Sequence, residues 1–178
     1  MIVSRFPQFP HYEISIALYE DVTNVEELRA KANSSLPFAL INASLVFSVE
    51  QLYSAVYRVL IEHTYNKIQT ASFSSECLLR LSASTKVSES QKFGLKYPSN
   101  RIICVNIEET TDDSIERPDE TIFELVKGKS AVLEDENLSK KCDADTLRKI
   151  YKLDQTFQPE RPDEFSRALV NAIQLRGL

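Results

Sequence analysis

The sequence predicts a mixed α/β (α+β) fold: one compact domain over residues 1–178, with a small mixed or antiparallel sheet packed against several helices. Three observations lead there. Tyr12, Ile14, Ile16 and Leu18 recur every second residue, the period of a strand with one buried face. After Ser48, Val49, Leu52, Tyr53, Val56, Leu60 and His63 recur at spacings of three and four, which puts them on one face of a long helix. The last third then carries helix-start signals at Pro118, Asp145 and Pro162.

Taken in order, Ile2–Phe6 reads as a strand, and Pro7 and Pro10 break the chain before the strand at Tyr12–Leu18. Asn24 and Glu27 have the spacing of an N-cap and its reciprocal acid, opening a short helix through Leu28 and Ala32. Phe38–Ile41 is a short strand. Ser48 and Gln51 form the two halves of a capping box for the long helix. Glu76–Ser82 reads as a strand, Val87–Phe93 as a short helix ending at Gly94, and Arg101–Ile107 as another strand. Such a strand, helix, strand run closes by packing its helix on the sheet.

Pro118, Asp119 and Glu120 favour a helix through Ile122, Phe123, Leu125 and Val126, with Gly128 placed to end it. Asp145–Leu153 forms the next helix, with Leu147, Ile150 and Tyr151 on its apolar side. Pro162, Asp163 and Glu164 start the last, which carries Phe165, Leu169 and Ile173 before Gly177. There is no internal repeat, and Asp112–Glu120 is a charged loop within the domain, not a boundary.

Composition narrows the function classes. A formal charge of −5 argues against autonomous wrapping of nucleic acid, since neutralised phosphates supply most of that affinity. Cys77, Cys104 and Cys142 show no CxxC pairing, and His11 and His63 lie far apart, so no metal site is expected. Three cysteines suit a reducing compartment. MIVSRFPQFP has no apolar h-region, and no run is long enough to span a bilayer, so the expected setting is cytoplasm or nucleus.

Catalytic patterns are absent. The glycines at 94, 128 and 177 are isolated and form no phosphate loop, and no GxSxG occurs. His63 falls on the apolar stripe of the long helix, and His11 sits in a turn. Glu108-Glu109 and Asp112-Asp113 read as solvated acids, and Cys77 and Cys104 as small buried hydrophobes in strands. Two basic groupings stand out: Arg148, Lys149 and Lys152 beside Tyr151, and Arg58, Lys67 and Arg80. The competing explanation for both is ordinary charge on a solvated face. The apolar end Gln174-Leu175-Arg176-Gly177-Leu178 is a candidate for docking on a partner.

Four collinear segments then carry a resemblance: ALINASLVFSVEQLYSAVYRVL, NKIQTASFSSECLLRLSASTKVSESQKFGL, TLRKIYKL and FSRALVNAIQLRGL. Together they resemble the small kinase-binding subunit of the KEOPS (EKC) complex, the PRPK-binding protein family in its fungal form, from PQFP to LRGL. The resemblance implies a single α/β domain with no catalytic residue, no cofactor and no metal. Its expected partners are the small atypical kinase, itself an ATPase, which it binds and stimulates, the other KEOPS subunits through that kinase, and tRNA within the complex. No membrane partner is implied. The complex makes N6-threonylcarbamoyladenosine through another, metal-containing subunit, with further links to telomere maintenance and transcription, in nucleus and cytoplasm.

Carried over by residue, the resemblance implies a kinase contact through Leu147, Ile150, Tyr151 and Phe93. It implies a tRNA contact, at the single-stranded acceptor end, through Arg58, Lys67 and Thr70. Relatives carry two further basic residues in that run, where this chain has Gln69 and Ala71. Two other readings stand beside this one: a purely structural adaptor of the kinase without RNA contact, and an enzyme with its own pocket.

Overall fold

In the computed structural model, which describes residues 1–32, 36–95, 99–110 and 123–175, the sheet is built around two long strands. β2 (Tyr12–Glu20) and β4 (Ile102–Glu109) pair antiparallel from Tyr12↔Glu109 to Tyr19↔Ile102. β3 (Ala39–Asn42) adds to the far side of β4. β1 (Ile2–Ser4) and β5 (Lys129–Ala131) share the other edge of β2, one at each end. The order is β1-β2-β4-β3 with β5 also on β2, and every pairing is antiparallel. The fold class expected from the sequence is the one observed.

Both faces of the sheet are covered. Ile14, Ile16 and Leu18 of β2 and Ile103, Val105 and Ile107 of β4 face the larger core. That core is closed by α2 (Val49–Thr64), α3 (Phe73–Leu81), α6 (Ala144–Tyr151) and α7 (Pro162–Leu175). Ala17, Leu40, Ile102 and Cys104 face a smaller cluster with Phe123, Val126 and Leu28 of α1 (Val25–Ala32). Burial on two faces explains why β4 reads as an almost unbroken apolar run where a half-solvated strand would alternate. α4 (Val87–Ser90) and α5 (Asp135–Lys140) complete seven helices among the described residues.

The structure corrects several expectations. The strand expected over Glu76–Ser82 is instead the end of α3, helical through Leu81 and capped at Ser82, so the stretch to β4 runs helix, helix, strand. Ser72 caps α3 by accepting the Ser75 N–H at 3.2 Å. The three-residue apolar run Cys77-Leu78-Leu79 cannot by itself separate a strand from a buried helix turn. Of the helix expected from Pro118, residues 118–122 lie outside the described residues, as do Asp112 and Asp113, while Phe123–Leu125 form a turn. Gly128 is needed there for close approach: a Cβ would sit 2.8 Å from Val22 Cγ2 and 3.0 Å from the Glu20 carbonyl.

Neither expected capping box closes: the Ser48 box has one of its halves, and Asn24 meets Glu27 only side chain to side chain, at 3.3 Å. Ser48 accepts the Gln51 N–H at 3.2 Å, but the Gln51 amide oxygen accepts from Phe47 N–H. The Asn24 side chain instead bridges to the Leu125 carbonyl and the Lys127 N–H, tying the start of α1 to the 123–127 segment.

Candidate functional site

The segment between α2 and α3 brings the sequence candidates together and sorts them. α2 ends when Asn66 takes the left-handed conformation (φ 54°), which asparagine tolerates better than most residues. The Lys67 N–H bonds the Glu62 carbonyl and the Asn66 N–H bonds that of His63, a Schellman arrangement that satisfies the helix end. Tyr65 is left 69% exposed, and Lys67 is exposed beside it. Lys67 forms no ion pair among the described residues. His63, in the last turn of α2, packs edge-on against Tyr12 and Phe73 with ring centroids 5.9 and 4.9 Å away.

Beneath this surface lies a buried charge network. Arg58 Nε donates to Glu62 Oε1 at 2.9 Å, and Arg80 Nη2 reaches Glu62 Oε2 at 2.9 Å. Arg80 also pairs with Glu76, its neighbour one turn earlier on α3. Arg58 further donates to the Ile173 carbonyl near the end of α7. Two guanidinium groups face two carboxylates, so the network balances its charge. Glu76 is fully buried, and its other oxygen accepts from the Gln69 N–H, the Thr70 N–H and the Thr70 hydroxyl at 3.1, 2.9 and 2.8 Å.

Of the residues expected to meet tRNA, only Lys67 therefore lies open on the surface. Thr70 is half-buried and turned inward onto Glu76, and Arg58 is buried. A guanidinium committed to Glu62 and Ile173 inside the molecule is not placed to reach a phosphate outside it. Sequence reading missed Tyr65 as the exposed aromatic of this loop, and it missed Glu62 and Glu76 as the counter-charges. The i, i+4 spacings Arg58/Glu62 and Glu76/Arg80 were the available signal.

The residues expected to meet the kinase lie around α6. Leu147, Tyr151 and Phe93 are fully buried, and Ile150 is half-buried. Phe93 and Tyr151 meet edge-to-face at 5.9 Å, and the Tyr151 hydroxyl donates to the Leu81 carbonyl while accepting from Gln51 Nε2 at 3.0 Å. The basic residues of α6 divide: Arg148 spends its guanidinium on Asp145 and Gln158, while Lys149 and Lys152 face solvent. At the end of α7, Leu175 is 65% exposed.

Elsewhere, a cavity of about 220 Å³ opens between the starts of α2 and α7, lined by Ser48, Glu50, Asp135, Asp163, Ser166 and Arg167 among others. Its two buried serines bond each other at 2.6 Å, and no histidine lines it to activate either. Burial pushes the Cys77 thiol up to about 12 and raises that of Cys104 further, so both stay protonated and unreactive at neutral pH.

This fold and these surfaces define a domain with a closed interior and a shaped exterior. The model of the kinase binding protein CGI-121 family matches residues 19–177, and the chain belongs to that family. It is similar to the EKC/KEOPS complex subunit CGI121 of Candida glabrata, 38% identical over 176 residues and 98% of each chain. The protein of the same name from Eremothecium gossypii is 37% identical over 183 residues, spanning 100% of both chains. The Schizosaccharomyces pombe EKC/KEOPS complex subunit cgi121 is 30% identical over 177 residues, 96% of this chain and 97% of that one.

Proposed function

We propose that the protein is a non-catalytic accessory subunit of an EKC/KEOPS complex. It binds and stimulates the small atypical kinase of that complex and, through it, joins the other subunits. It also helps bring the single-stranded 3′ end of tRNA to the machinery that makes N6-threonylcarbamoyladenosine. Action in nucleus and cytoplasm, with effects on telomeres and transcription, belongs to the same reading. The observation that carries it is the family match over residues 19–177, supported by full-length similarity to subunits of that name.

Burial guides the choice of surfaces. For the kinase, Ile150 and Leu175 offer apolar area to a partner, while Leu147, Tyr151 and Phe93 shape that surface from inside. For tRNA, Lys67 supplies a cation and Tyr65 a ring on which an unpaired base stacks, the usual pairing in single-strand recognition. Affinity shared with other subunits reconciles a charge of −5 with an RNA ligand.

Two binding measurements test this. Pull-down with the cognate small kinase should recover a complex; none at micromolar concentration overturns the accessory-subunit reading. Within the complex, intact tRNA should bind more tightly than tRNA trimmed of its 3′ single strand. Equal binding favours the alternative, an adaptor of the kinase without RNA contact.

A further inference from the structure

The loop that carries Tyr65 and Lys67 is held by one side chain that lies wholly beneath it. Its ends are fixed by the Schellman turn at Asn66 and by the Ser72 cap of α3. Its middle is fixed where Gln69 and Thr70 bond Glu76 Oε2, the Thr70 hydroxyl also meeting the Ser72 carbonyl at 3.1 Å. We infer that Glu76 is a positioning residue for the RNA contact: it holds residues 69–70, and with them the path the chain takes from the Tyr65–Lys67 turn into α3, and does not touch the RNA. This rests on the RNA reading of the loop given above.

The chemistry of the site demands a carboxylate. Arg80 donates twice to Oε1, and three loop donors meet on Oε2, so both oxygens must accept and neither can donate. A glutamine of the same shape offers one acceptor oxygen and one NH2 group. If its oxygen keeps Arg80, the NH2 faces the Gln69 and Thr70 N–H groups, donor against donor, and the loop is released. Arg80 retains Glu62 in that case, so the joint between α2 and α3 survives. A released loop must be ordered again on binding, and that cost is subtracted from affinity.

The test uses the full chain in complex with its kinase, comparing wild type, Glu76→Gln and Thr70→Val. The last removes one of the three loop bonds and leaves the Arg80 pair alone. In Glu76→Gln the Gln69 and Thr70 amides should exchange hydrogen about tenfold faster or more, with α2 and α3 still protected. Affinity for intact tRNA should fall about tenfold, while affinity for trimmed tRNA and for the kinase holds. Thr70→Val should fall between, and it decides the matter alone if Glu76→Gln does not fold.

Unchanged exchange at Gln69 and Thr70 overturns the inference. So does a loosened loop that binds intact tRNA as wild type does. A merely structural Glu76 would lower stability and kinase binding together and leave the preference for the 3′ end intact. If wild type itself shows no such preference, the RNA reading fails and the inference with it, while amide exchange separately reports whether Glu76 holds the loop.

Discussion

Replacing Arg58 with alanine and replacing Lys67 with alanine should have opposite signatures, although both residues were candidates for one RNA surface. Arg58 is buried against Glu62 and Ile173, so its loss leaves part of a buried charge unpaired. The expected cost is about 3 kcal/mol of folding stability, read by urea denaturation. Lys67→Ala should leave stability within about 0.5 kcal/mol. It should instead weaken tRNA binding in the complex and reduce the slope of log affinity against log salt by about 0.7. Tyr151→Phe tests the other candidate surface. The hydroxyl bonds Leu81 and Gln51 in the core, so its loss should cost about 1–2 kcal/mol of stability without changing kinase affinity for the folded protein. A fall in affinity at full stability would make Tyr151 a contact residue.

Among the elements, α6 has the best-defined start. The Asp143 carboxylate accepts from the Thr146 N–H at 3.0 Å and the Thr146 hydroxyl at 2.6 Å. The Thr146 hydroxyl first, and then its N–H, hold that carboxyl below its usual range. Because the folded value lies below the unfolded one, the stabilisation is complete above about pH 4 and disappears as pH falls through the folded value. Asp143→Ala should therefore cost about 1 kcal/mol at pH 7, and the gap to wild type should close in acid, as urea titrations at several pH values would show.

The elements also show which signals the sequence carried plainly. β2 and α2 were legible because each repeats one period over many residues, 2 for the strand and 3.6 for the helix. α3 was not, because Cys77-Leu78-Leu79 is too short a run to show a period, and its deciding signals were a serine cap and one Glu–Arg pair. β5 and α5 were missed for a related reason: Lys129–Ala131 is a mostly exposed edge, and only Leu138 of α5 is buried, so neither has an apolar face to read. The site was half legible. Lys67 lies on the surface as expected, but sequence alone could not tell that Arg58, two residues from the nearest members of the periodic stripe, turns inward once α3 and α7 pack beside α2.

For the whole molecule, the buried network places one set of charges where dissolved ions do not reach and leaves another set where they do. Exposed contacts weaken as the screening length shrinks, from about 10 Å at 0.1 M salt to about 3 Å at 1 M, while buried pairs are screened far less. Raising salt should therefore strip tRNA from Lys67 while amide exchange at Gln69 and Thr70 stays slow. Ionic strength then becomes a reversible handle on a loop that keeps its shape. On the RNA reading proposed above, the molecule would shed tRNA and take it up again without rebuilding the surface that receives it.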